Sequence, residues 1–371
     1  MTDIVDWDLA AQMAAKVTPA GPRISRGEAS EVVAGLREAA AAAVAPVLEV
    51  SRMRPAPGLP AQSFGEVLVV DRARWSATNL AMMAGVAGPA MAEAARGLPV
   101  TPAAQVGAAA EVAAMMAVLA PRVLGQFDPY SQLGRSEPGP GAAGDAAQGV
   151  LLLVAPNIAE VERKLDVDHQ GFRLWVCLHE QTHGLQFAAA PWLAPYMYGQ
   201  IQGLMSAVTG RTAELAEGRV WQRFVQLLKL ARDVFNGVIN TNAPGPMEAL
   251  LGPVHAEALG TITATMALLE GHADVMMDEV GPEVIPTLAT IRERFEKRRE
   301  GEGQAKAGVL LRRAMGMDAK LAQYRDGAVF VRGVEKLAGR DGLNEIWAGP
   351  QNLPSPAEIA SPGAWVRRVL A

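Results

Sequence analysis

The sequence predicts a mainly helical α+β protein, on three observations. Half of the 371 residues are hydrophobic, but much of that fraction is alanine and only 5% of the chain is aromatic. Such a composition favours helix over strand. Most of the chain falls into segments whose apolar residues repeat at helical spacing. Two short runs, Phe64–Val70 and Val150–Ala155, read as strands, and the second comes shortly before the most informative segment of the chain.

Taken in order, helix is expected over residues 26 to 54, where Pro46 can kink or divide it. Pro55 to Pro60 breaks the pattern ahead of the first strand, and helices follow at Trp75–Ala95 and Ala103–Leu119. A turn-rich stretch runs from Phe127 to Gly149. After the second strand, Pro156-Asn157 opens a turn and Ile158–Leu165 a short helix. Asp166 to Gln170 can cap the helix carrying Phe172 to Phe187. Pro191 and Pro195 interrupt before a helix at Tyr196–Val208. Further helices are expected at Arg211–Phe235, Pro246–Leu251, His255–Met277 and Glu283–Glu300, the last charged as a solvated face is. Ala305 to Trp347 resumes the helical pattern, and the tail to Ala371 is rich in turns. The chain divides into a mainly helical region, 1–149, packed on a region, 150–371, that holds the chemistry. One continuous domain is the alternative, since no repeat or long linker separates them.

Several classes are argued against. A formal net charge of -5 disfavours a dedicated nucleic-acid binder. The single cysteine, Cys177, cannot form an intramolecular disulfide, and within Leu174-Trp175-Val176-Cys177-Leu178 it reads as a core residue. The start of the chain shows no basic segment followed by an apolar core, so no secretory signal is expected. Asn79–Ala95 and Val106–Ala120 read as buried helices with no membrane span, because Pro89, Glu93 and Glu111 interrupt them. Cytoplasmic placement is the default. Gly139-Pro140-Gly141-Ala142-Ala143-Gly144 matches a dinucleotide fingerprint literally, but no strand precedes it, so it reads as a loop.

The chemistry lies in His179-Glu180-Gln181-Thr182-His183. Histidines four apart on a helix share a face and can reach one metal ion, with Glu180 beside them to take a proton from an attacking water. The flanking Leu174, Trp175, Val176, Leu178, Leu185 and Phe187 put this segment inside the protein, where polar groups need partners. Catalytic zinc takes three protein ligands, so a third must come from elsewhere. The best source is Met266-Ala267-Leu268-Leu269-Glu270-Gly271-His272-Ala273-Asp274, which ends a long apolar run with an acid. Glu270 is the preferred ligand and His272, about 200° away around the helix, the competing one. Asp274 shares the Glu270 face and is the expected orienter of a metal-bound histidine, with Asp278 the alternative on the same stripe.

These two segments resemble the actinobacterial zincin-like hydrolase family whose members are often labelled coenzyme F420 biosynthesis-associated proteins. Further similarity lies in Phe295-Glu296-Lys297-Arg298-Arg299, Lys320-Leu321-Ala322-Gln323-Tyr324 and Pro362-Gly363-Ala364-Trp365, so the likeness spans roughly residues 60 to 371. The resemblance implies a mostly helical zincin-like core and a Zn2+ site formed by His179, His183 and Glu270. It implies the metal more strongly than any substrate.

The expected reaction is zinc-dependent hydrolysis of a peptide or small amide, with Glu180 as proton acceptor and donor. Tyr196 and Tyr198, just after the motif helix, are candidate oxyanion donors, as is His255; His169 reads as a cap-region residue. Two other classes compete: an interaction protein that uses the metal for stability alone, and a metal enzyme acting on a small metabolite. A site open to a groove would favour catalysis. Oligomeric state is left open.

Overall fold

A computed structural model describes residues 4–59, 64–94, 100–131, 149–214, 253–300 and 317–371. The expected loop at 139–144, most of the expected helix at 211–235, the helix at 246–251, the stretch 305–316 and the side chain of His255 lie outside the described residues.

The organising element is β3 (Gly149–Val154), the central strand of a three-stranded sheet of order β1-β3-β2. β1 (Gly65–Val70) runs parallel to it with Gly65 opposite Gly149, and β2 (Gly125–Asp128) runs antiparallel with Gly125 opposite Leu153. All six residues of β3 are buried. Strand alternation sends Leu151 and Leu153 into one apolar core, and Val150, Leu152 and Val154 into another. Each such side chain contributes about 1.5–3 kcal/mol of burial, which is why this strand reads as a continuous apolar run.

One core is built by α1 (Trp7–Val17), α4 (Arg72–Ala94) and α5 (Pro102–Leu119). The larger core takes α2 (Arg26–Ala42), α3 (Val44–Ser51), α6 (Ala155–Leu165) and α7 (His169–Ala189) from the first half of the chain. From the second half it adds α8 (Leu193–Glu214), α9 (Pro253–Glu279), α10 (Gly281–Val284), α11 (Leu288–Glu300) and α12 (Met317–Asn344). The tail adds short helices, among them α13 (Pro356–Ile359) and α14 (Pro362–Val369), whose Trp365 is fully buried. The sheet and the larger core thus draw on residues from both sides of position 149.

Several local expectations are corrected. The expected 26–54 helix divides at Ala43, three residues before Pro46, and each half keeps its own apolar face. Pro156 starts no turn: it sits in the first turn of α6, where its missing N–H costs nothing. Pro195 likewise lies in the first turn of α8. Pro286 lies between α10 and α11, so the 283–300 helix is two pieces. α1 and β2 were not expected. α1 is capped by Asp6, which accepts from Leu9 N at 2.9 Å, and buries Ala10 and Ala14 one turn apart. The helix from Pro102 to Arg122 is long and apolar enough by composition to cross a membrane. It buries Ala108, Ala109, Val112, Ala113 and Met116 and leaves Val106 and Val118 exposed, so only one face is covered.

Candidate metal centre

α7 starts where Asp168 accepts a hydrogen bond from Gly171 N at 2.6 Å, so the motif helix begins three residues before Phe172. Phe172, Trp175, Val176 and Leu178 seat it in the core. Each polar residue of the motif then has its own direction. Gln181 donates to Ala40 O of α2 at 2.9 Å, and Thr182 donates to Leu178 O at 2.7 Å within its own helix. Gly184 lets the helix lie against β2 and the strand before it: a Cβ there would be 2.8 Å from Phe64 Cβ. His179 and His183 are left pointing together, their rings edge to face with centroids 4.8 Å apart.

Glu270 reaches them from α9. Its helix approaches α12 so closely that a Cβ on Gly271 would sit 2.1 Å from Gly327 C, a contact only glycine permits. The three ligand atoms form a near-equilateral triangle. His179 Nε2 and His183 Nε2 are 3.2 Å apart, and Glu270 Oε2 lies 3.4 Å from the first and 3.7 Å from the second. Zinc bonded at about 2.0–2.1 Å in a tetrahedron separates its ligands by about 3.3–3.4 Å. A zinc ion therefore fits this triangle with little adjustment. Glu270 Oε2 is buried with no hydrogen-bond partner, a polar atom set aside for something else. Among the described residues, His179, His183 and Glu270 form the group of three able to hold a metal.

Electrostatics agree with that reading. Burial alone would raise the Glu270 carboxyl, but the two imidazoles beside it hold it well below the ordinary carboxylate value. Burial would lower His183, yet Glu270 and Glu180 outweigh it and push the imidazole up to about 9. Two acids facing two histidines attract a cation, and a proton on His183 is the weaker substitute.

Glu180 is buried beside β2: a Cβ on Gly125 would fall 2.6 Å from Glu180 Cγ and 2.7 Å from its Cδ and Oε1. The backbone of this edge strand thus forms a wall for the carboxylate. The groups around the outer imidazole nitrogens are ones sequence reasoning did not single out. His179 Nδ1 faces Met277 Sδ at 3.3 Å, and His183 Nδ1 faces Gln186 Oε1 at 3.0 Å. Gln186 was within reach of a sequence reading, being three residues after His183 on the same face; Met277 needed the packing of α9 on α7.

Asp274, expected to orient a histidine, gives both oxygens to Arg292 of α11 at 2.8 and 2.9 Å. Asp278 pairs with Arg292 at 3.1 Å and with Arg332 at 3.5 Å. His272 lies fully buried away from the triangle, against the Trp347 ring at 5.2 Å. Tyr196 stacks edge-on to Trp192 and lines a cleft of about 310 Å³ with Thr261, Ser355 and Arg368, none of the three ligands being in that lining. Tyr198 is half-buried on the same helix. Cys177 is buried in the core, as expected, and burial pushes its thiol up beyond the normal range. His169 opens α7, its Nδ1 3.7 Å from Glu162.

A small sheet lies beside a helix bearing two histidines, and a glutamate delivered by a later helix completes a group able to hold a metal ion. The chain belongs to the zincin-like metallopeptidase family, whose sequence model matches residues 5–366. It is also similar in structure to a protein from Chloroflexus aurantiacus described as a candidate hydrolase with a novel fold. That protein is 24% identical, with 98% of each chain covered and a TM-score of 0.64, which shows a shared fold. No curated protein matches the chain significantly.

Proposed function

We propose that the protein is a zinc-dependent hydrolase of peptide or related amide bonds. The observation that carries the proposal is the triangle of His179, His183 and Glu270 at tetrahedral ligand spacing, with Glu180 held against Gly125 and close enough to act on the His183 imidazole. The three ligand side chains keep 19, 13 and 19% of their surface accessible although Glu270 Oε2 itself is buried, so the group lies at the margin of the core, which favours catalysis over a sealed structural role. Bound there, zinc would supply a Lewis acid that polarises a carbonyl and acidifies water.

The chain's own groups do the rest. Glu180 accepts the proton of the attacking water and returns it to the leaving amine, one carboxylate serving as base and then acid. The Gly125 wall limits where that carboxylate can swing. Among the described residues β2 pairs on one side only, with β3, so its outer edge offers main-chain groups to an extended peptide. That edge, adjoining Glu180, favours a peptide over a compact metabolite. Tyr198 is the proposed oxyanion donor, to be tested by phenylalanine replacement at unchanged zinc content, with Tyr196, which lines the cleft apart from the ligands, replaced in parallel for comparison. The narrower likeness to actinobacterial proteins labelled for coenzyme F420 biosynthesis names an association, and no reaction follows from it.

The test starts with zinc per chain in wild type, His183→Ala and Glu270→Ala, followed by a quenched-peptide library with Glu180→Gln as control. Stoichiometric zinc lost in both ligand variants, with cleavage lost in Glu180→Gln while its zinc is kept, supports the proposal. A wild type that stays free of metal when zinc is supplied refutes it.

A further inference from the structure

We propose that Gln186 is the positioning residue of the metal centre: it sets which nitrogen of His183 faces the ligand triangle and ties α7 to the turn of α9 that presents Glu270. The proposal rests on the zinc reading above. Gln186 is fully buried and makes three contacts. Its Oε1 meets His183 Nδ1 at 3.0 Å, its Nε2 donates to Leu269 O at 2.9 Å, and the same Nε2 meets His272 Nδ1 at 3.0 Å.

The direction of these bonds follows from one fixed point. Side-chain amides can be turned end for end without changing shape, so their orientation comes from their partners. A main-chain carbonyl only accepts, so the amide nitrogen of Gln186 must face Leu269 O. Its oxygen then faces His183 and can only accept, so His183 Nδ1 carries a hydrogen. The lone pair left for a metal is on Nε2, the atom that stands in the triangle. The second amide hydrogen points to His272 Nδ1, which must therefore be unprotonated. Among the described residues, Gln186 is the hydrogen-bonding partner of His272, whose Nε2 has none.

The two far anchors bracket the third ligand. Leu269 precedes Glu270 and His272 follows it by two residues, so one amide grips α9 on both sides of the carboxylate it must deliver. A buried histidine with a single polar contact is otherwise costly. Its placement makes sense as the second half of this clamp. Sequence reasoning weighed His272 as a ligand; its contribution runs through Gln186.

The experiment uses full-length protein carrying 15N-labelled histidine, with zinc affinity measured by competition against a chromophoric chelator. In wild type we expect a slowly exchanging His183 Nδ1–H resonance, with and without zinc. Gln186→Leu should lose that resonance and bind zinc about 10- to 100-fold more weakly, the usual effect of removing a group that orients a metal ligand. Gln186→Glu keeps an acceptor for His183 Nδ1 and lacks both donors to α9, so it should retain the resonance. His272→Phe keeps the ring packing against Trp347 and removes one anchor; its affinity should fall less than that of Gln186→Leu. Should Gln186→Leu fail to fold, the other two variants decide. Affinity within twofold of wild type in Gln186→Leu, or survival of the Nδ1–H resonance there, overturns the proposal. Wild type that binds no zinc refutes the hydrolase reading instead, and the resonance in metal-free protein still decides the role of Gln186.

Discussion

Replacing Gly271 by alanine should disturb both stability and the metal site, although it adds one methyl group. The new Cβ would stand 2.1 Å from Gly327 C, 2.4 Å from Ala328 N and 2.6 Å from Gly327 Cα. All three are backbone atoms, so no rotamer change relieves the overlap. α9 and α12 would have to part by about 1 Å or more to reach ordinary contact, and overpacking of this kind costs about 1–3 kcal/mol, here at the upper end. At about 2 cal/mol/K per residue, 3 kcal/mol corresponds to a fall of about 4 °C in the thermal midpoint. Because Glu270 is the adjacent residue, zinc affinity should fall with it. Gly203→Ala is the control: nothing lies within 4 Å of its Cβ position in α8, and the better helix former should stabilise by about 0.5–1 kcal/mol. Calorimetry of the metal-free proteins and chelator competition give both readings. A Gly271→Ala protein with wild-type midpoint and zinc affinity would refute the close-contact argument.

Three more expectations can be checked the same way. Gly125→Ala should push the Glu180 carboxylate aside by about 1 Å and slow peptide cleavage about 100-fold at unchanged zinc content; cleavage at the wild-type rate would show that the wall has no such role. Zinc binding should weaken about tenfold per unit as pH falls below about 9, because the ion must displace the proton that Glu270 and Glu180 help His183 retain; a flat profile from pH 6.5 to 8.5 in competition titrations would contradict this. Burial pushes the Asp278 carboxyl up to about 6 despite Arg292. The folded state therefore binds that proton more tightly than the unfolded chain, and this group's contribution to stability declines as pH rises from about 4 to 6. Arg292→Met should cost about 3 kcal/mol at pH 7 by leaving two half-buried acids without that partner, and should extend the decline to higher pH, as urea titrations at several pH values would show.

The grouping of His179, His183 and Glu270 was legible in the sequence because its chemistry is local. Two histidines one turn apart declare a shared face, and Glu270 stands out as an acid ending an apolar run. The face shared by Glu270 and Asp274 was legible too. What fills it was not, since Arg292 arrives from α11, across a proline-marked break. β2 escaped because four residues, Gly125-Gln126-Phe127-Asp128, carry too little alternation to be seen, and they form a strand by pairing with the apolar β3. α1 escaped because alanines, its buried residues, give a faint apolar stripe. The two strands that were legible are the two that build the parallel pair, β3 an uninterrupted apolar run and β1 apolar from Val67 to Val70 after the exposed Glu66.

The contacts between Gln186 and the Leu269–His272 turn have a topological consequence. They join points of the chain more than eighty residues apart, as a disulfide would. A metal shared by His183 and Glu270 would close the same loop a second time, and closing a loop of about ninety residues removes on the order of 4–5 kcal/mol of unfolded-chain entropy in the simplest treatment. Seen this way the centre is a buckle as much as a reaction site. A backbone cut between α8 and α9 should leave two fragments, held by the shared core, whose association weakens when a chelator removes the metal.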